Sequence, residues 1–183
     1  MPMPRPLAFV LALAACTAAA QEPPALPNAP VPALDLQRYA GSWHEIAHLP
    51  MFFQRQCVAD ISATYSLRAD GLIGVRNACR TRDGRFDVSD GVARRVPGQP
   101  GALQVRFAPD WLAWLPFTWA DYWVVELDPD YRWAVVGSPS RKYLWVLSRT
   151  PAMPRAEFEA IRERAAHRGY PVQRLVLPQG TLE

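Results

Sequence analysis

The 183-residue sequence is short of most marks of catalytic, metal-binding or nucleic-acid-binding chains. It has three histidines. His44 and His48 lie four apart in an alternating segment, which on a strand separates their Cα atoms by about 13 Å. Both are expected to face outward, and that spacing does not suit a shared metal; His167 falls on a charged helix. There is no zinc spacing, no Gly-x-Ser-x-Gly elbow and no glycine-rich phosphate loop. No metal, cofactor or nucleotide site is therefore expected. The net charge is only +3, from arginines scattered along the chain, so the basic stripe that nucleic acid requires is missing. Long apolar runs are lacking too. The most aromatic stretch, "APDWLAWLPFTWADYW" (108–123), holds four of the seven tryptophans. Pro109 and Pro116 interrupt it, Asp110 and Asp121 charge it, and it falls short of the roughly 20 apolar residues that span a bilayer as a helix.

Cysteine is scarce as well, with three in the chain. The first belongs to an N-terminal export signal: one arginine, an apolar stretch from Leu7 to Ala15, then small residues. "LAAC" (13–16) resembles a bacterial lipobox, with residues 1–15 removed and Cys16 lipidated; Thr17 at the next position favours the outer membrane. The other reading is ordinary cleavage after Ala20, which gives a periplasmic or secreted protein. Either way Cys57 and Cys79 remain, an even number in an exported chain, and one disulfide is expected. Residues 17–33, with five prolines and no periodicity, read as a tether.

What is there in quantity is hydrophobic alternation. Half of the residues are hydrophobic, enough for the core of one domain. From Gly41 to Arg149 strand follows strand, as in "ADISATYSL" (59–67), with turn signals between. Eight such strands at hairpin spacing predict an all-β, antiparallel up-and-down barrel, because closure removes the exposed edges. The period then changes. "PRAEFEAIRERAAHRG" predicts one helix over about 154–168, with Phe158, Ile161 and Ala165 as a narrow apolar stripe that packs on the outside.

"GSW" (41–43), "DPDY" (128–131) and "YLWVLSR" (143–149), in that order around an eight-strand meander and before a helix, resemble the lipocalin family. "GSWHEIAHLP", "TYSLRADG" and "YLWVLSRTP" are similar to its bacterial outer-membrane lipoprotein branch. The resemblance covers residues 34 to about 178. It implies a ligand cup, with Gly41, Trp43 and Arg149 as structural residues and Trp43 meeting Arg149 at the closed end.

In a meander the first, third, fifth and seventh connections share one rim, here the open one. That places Met51, Phe52, Phe53, Trp111, Trp114 and Phe117 together, with Arg55, Arg82, Arg85, Arg141 and Lys142 nearby. An apolar mouth ringed by cations suits an anionic amphiphile, or docking on an anionic membrane; a lid of loops folded over one another is the alternative. Face parity puts Tyr65, Val75, Val105, Phe107, Tyr143 and Trp145 in the cavity and turns Arg106 outward. The sixth strand is apolar on both faces and pattern alone does not order it; Tyr122 is taken into the cavity set. Cys57 and Cys79 share parity on neighbouring strands, which permits the disulfide. The expected function is carriage or storage of a fatty acid or a lysophospholipid, without catalysis, at a membrane surface and with a homodimer left open. Two alternatives remain: an enzyme using Cys57 or Cys79 as a nucleophile, with Glu45 and Glu126 as candidate inward carboxylates, and a ligand-free structural envelope lipoprotein.

Overall fold

The structure, a computed structural model, describes residues 25–183. The export signal, the lipidation at Cys16 and the cleavage after Ala20 lie outside the described residues.

Eight strands run in chain order around a closed antiparallel barrel: β1 (Gly41–His48), β2 (Cys57–Leu67), β3 (Ile73–Thr81), β4 (Phe86–Val96), β5 (Gln99–Arg106), β6 (Ala120–Leu127), β7 (Trp133–Gly137) and β8 (Leu144–Ser148). Closure comes where β1 meets β8, with His44 opposite Ser148 and Glu45 opposite Leu147. The expected up-and-down barrel is therefore present. Its alternating strands sort side chains onto two faces. Inward residues of the closed half, among them Trp43, Tyr65, Ile73, Val75, Leu103 and Val136, form one buried cluster. Outward residues of β1, β6, β7 and β8 form a second, on which the helix α2 (Arg155–His167) lays Phe158, Ile161 and Ala165. Those three are the stripe that helical spacing singles out.

Two features depart from the sequence pattern. A four-residue helix, α1 (Leu36–Tyr39), precedes β1, started by Asp35, whose carboxylate accepts from the backbone N–H groups of Gln37 and Arg38; it is too short to show a period. Residues 25–33, expected as part of the tether, are held against the barrel. The Leu26 N–H donates to the His167 carbonyl at 2.9 Å and the Val31 N–H to the Val124 carbonyl at 2.8 Å. The Asn28 amide donates to the Ser138 carbonyl at 3.1 Å, and Val31 fills the space over Gly101. The prolines favour this because they bring no N–H that burial would leave unsatisfied.

Candidate ligand cavity

The closed end is sealed by one arginine. The Arg149 guanidinium lies 3.7 Å from the centroid of the Trp43 ring. It donates to the carbonyls of Ser42 (2.8 Å), Arg38 (2.6 Å) and Ala40 (3.0 Å). The Trp43 indole donates to the Tyr39 carbonyl at 2.8 Å, and the ring is fully buried. Gly41 supplies the backbone this packing needs: its φ is +95°, and a Cβ there would stand 3.4 Å from the guanidinium.

Above this floor the barrel encloses a cavity of about 500 Å³, within the range of small-molecule sites. All seven residues expected to line it do so: Tyr65, Val75, Val105, Phe107, Tyr122, Tyr143 and Trp145. Register explains this. Tyr65 sits opposite Val75, Leu103 opposite Tyr122, and Val136 opposite Trp145, so parity carries from strand to strand. The Cys57–Cys79 disulfide staples β2 to β3 beside the cavity, with Cα atoms 5.4 Å apart. On the floor three tyrosine hydroxyls form a buried chain, Tyr39 to Tyr122 at 2.7 Å and Tyr122 to Tyr65 at 2.8 Å. Burial pushes all three hydroxyls up, Tyr65 to about 12, so the floor is polar but neutral. Tyr39 comes from α1 and no pattern announces it.

The wall also carries a carboxylate. Glu45 is 5% exposed, and the Gln54 amide donates to both its oxygens, at 2.8 and 2.7 Å. Gln54 is itself fixed by the Trp145 indole N–H at 3.3 Å. His48, expected to face outward, is instead buried, with Nδ1 2.6 Å from Glu45. A bulge between Glu45 and Ala47 lets Glu45 pair with Leu147 and His48 with Trp145 although their numbers differ in parity, and His48 lies beside Met51 and Val176 and does not line the cavity. The contact is close but not aligned with a ring N–H, and Nδ1 has no hydrogen-bond partner. Glu126, the other candidate inward carboxylate, lies outside the cavity and pairs with Arg164 and Arg168.

At the open rim the expectations divide. Trp111, Trp114 and Phe117 are 73%, 77% and 79% exposed, and none lines the cavity. Their loop is nonetheless built: Arg106 donates to the carbonyls of Ala108 and Pro109, at 2.6 and 2.7 Å, and pairs with Asp110. Trp119, from the same loop, lies beneath Arg94 and Arg106 and donates to the Ala113 carbonyl. Arg106 points away from the lumen as parity requires, yet it is buried because the loop closes over it. Phe52 is exposed and stands edge-on to Phe53, which also lines the mouth. Met51 is not at the surface. It is buried in an outer groove of about 780 Å³, walled by Val176, Leu177 and Pro178 of the C-terminal segment, which pairs with β1 through Val176 and His48. The cations expected near the rim do not line the cavity. Arg55 and Arg82 line that outer groove, Arg85 pairs with Asp83, and Arg141 donates to the Arg168 carbonyl. Neither Lys142 nor any other lysine, arginine or histidine lines the cavity among the described residues.

A lipocalin-like domain model matches residues 34–179. This chain is a lipocalin. Temperature-induced lipocalin-1 of Arabidopsis thaliana is 40% identical over 147 residues, covering 79% of this chain and 78% of that protein. The outer membrane lipoprotein Blc of Escherichia coli K12 is 37% identical over 148 residues, again 79% and 78%. Among solved structures, insecticyanin from the tobacco hornworm Manduca sexta superposes with a TM-score of 0.62 at 20% identity, covering 86% of this chain and 87% of that one. The family sets the coarse function: its members bind small hydrophobic ligands in such a cavity and are generally carriers, not enzymes. No helix among the described residues is long and apolar enough to cross a membrane.

Proposed function

We propose that this lipocalin carries a single-chain amphiphile, of fatty acid or lysophospholipid type, in its barrel and exchanges it with a membrane on which the open rim docks. The observation that carries this reading is the open, mainly apolar volume above the tyrosine floor. A barrel plugged by its own side chains, as a purely structural envelope protein would have, leaves no such space. The thiol-enzyme alternative loses its nucleophile, because both sulfurs are joined to each other. Transfer of an acyl chain from water into the cavity gains about 0.8 kcal/mol per methylene before ordering costs.

Docking is supported by Phe52, Trp111, Trp114 and Phe117, four exposed aromatics at one rim. Beside them Arg55, Arg82 and Arg174 line the outer groove with no carboxylate among its lining residues, which suits anionic lipid headgroups. Lipidation at Cys16 would keep the protein at the outer membrane, where the Vibrio cholerae and E. coli relatives named outer membrane lipoproteins are placed. The test is organic extraction of protein purified without detergent, followed by mass spectrometry. A co-purified amphiphile in near-equimolar amount is expected. An empty protein that also fails to take up added lysolipid would overturn the reading.

A further inference from the structure

We propose that the cavity selects its amphiphile by an ammonium group, held between the Glu45 carboxylate and the aromatic wall of Trp145, Tyr143 and Phe53. The inference rests on the ligand-binding reading above and names the head that the site recognises.

The charge inventory points one way. The residues around the cavity include Glu45, Asp87 and Asp121 and no lysine, arginine or histidine among the described residues. Asp87 faces the lumen, since it pairs with Cys79, and the Gln56 amide donates to it at 3.0 Å. Glu45 is the buried member. Its hydrogen bonds come from the neutral Gln54 amide, which leaves lone pairs unfilled on a carboxylate with about four acceptor positions. His48 Nδ1 stands 2.6 Å from it, misaligned for a hydrogen bond, and forms an ion pair only when the imidazole is protonated. With the imidazole neutral, a buried carboxylate hydrogen-bonded only by an uncharged amide favours an incoming cation and disfavours an incoming carboxylate or phosphate monoester.

The aromatic groups complete the site. Tyr143 and Trp145 stack with centroids 6.0 Å apart and planes 14° from parallel, and Phe53 lies 6.0 Å from Tyr143. An ammonium or quaternary ammonium is attracted to such faces by the ring quadrupole. Trp145 also donates to the same Gln54 that holds Glu45, so the indole fixes the carboxylate through one side chain. Glu45 and Trp145 lie on the open halves of β1 and β8. A head bound there leaves the acyl chain to run down past Val105, Val136 and Leu147 toward the tyrosine floor. The arginines of the outer groove do not reverse this preference, because none of them lines the cavity.

Calorimetric titration of the delipidated protein with three ligands sharing one palmitoyl chain decides the matter: lysophosphatidylcholine, lysophosphatidate and monopalmitoylglycerol, each below its micellar concentration. Lysophosphatidylcholine is expected to bind at least about tenfold more tightly than lysophosphatidate, and Glu45→Gln to shrink that ratio to about threefold or less. Equal or tighter lysophosphatidate binding to the wild type overturns the ammonium site without recourse to any variant. If the neutral monoacylglycerol binds but the charged pair is not distinguished, this inference fails and the carrier function stands. If none of the three binds, both fail.

Discussion

The two ends of the barrel use the same side chains to opposite effect. At the closed end an indole is fully buried, its N–H bonded and its face covered by a guanidinium. At the open end two indoles, Trp111 and Trp114, stand about three-quarters exposed. Both ends place arginine near tryptophan. At the closed end Arg149 satisfies backbone carbonyls that the chain leaves behind as it enters β1. At the open end Arg94 and Arg106 lie over Trp119 and brace the loop, and the loop then presents Trp111, Trp114 and Phe117 outward. Residue type does not decide whether an aromatic stabilises the fold or meets a partner; the connection it sits on does.

The sharpest way to test that contrast is to truncate an indole at each end. Trp43→Ala should cost about 3–5 kcal/mol in denaturant unfolding, whereas Trp114→Ala should stay within about 0.5 kcal/mol. Equal losses would break the comparison. The disulfide comes next. It closes a loop of sequence separation 22, and its reduction should cost about 3 kcal/mol in the chain-entropy account, read as a lower urea midpoint in reductant. The tyrosine floor gives a pH test. The Tyr65 hydroxyl titrates at about 12 in the folded protein against 10.0 for an ordinary tyrosine. The folded state therefore binds more protons in that window, and the stability held below pH 10 is lost as pH rises toward 12. The loss from this one group should be roughly 2–3 kcal/mol. Tyr65→Phe should flatten the alkaline limb of the stability curve; an unchanged slope would remove Tyr65 from the account. The smallest effect on stability should come from the rim. Trp111→Ser, Trp114→Ser and Phe117→Ser together should leave the unfolding midpoint nearly unchanged, while sedimentation with anionic vesicles falls about tenfold. Vesicle binding equal to wild type would leave those rings without the role proposed for them.

Much of this was legible in the sequence, and the failures have definite causes. Period-two alternation marked the strands, and parity placed Tyr65, Val75, Val105 and Trp145 because β2, β3, β5 and β8 are regular where those residues lie. Parity did not show that His48 is buried beside Glu45, because a bulge inserts one residue between them. Met51 was read as exposed because its own loop gives no hint that Val176 returns to pair with β1 and cover it. The rim cations could be assigned to one end of the barrel by counting connections, but the sequence did not show that Arg55 and Arg82 line a groove apart from the cavity, because the direction of a long side chain carries no pattern. Tyr39 and Gln54, which organise the floor and the wall, come from a four-residue helix and a three-residue 3-10 turn, too short for any period. The lipocalin resemblance supplied the Trp43–Arg149 pair, which alternation alone would not have joined.

With a lipid on Cys16, the N-terminal segment bound to the barrel wall would act as a leash of fixed length. Among the described residues its first backbone hydrogen bond is at Leu26, and Asn28 is tied to Ser138, where β7 opens into the rim connection. A lipid on Cys16 would therefore hang from the mouth side of the barrel by the nine residues before Leu26, at most about 35 Å of extended chain. The barrel could tilt and turn on such a leash, but it could not lift its mouth far from the bilayer that holds the lipid. Cargo would then pass between membrane and cavity over a short and nearly constant gap, without the protein ever leaving the surface.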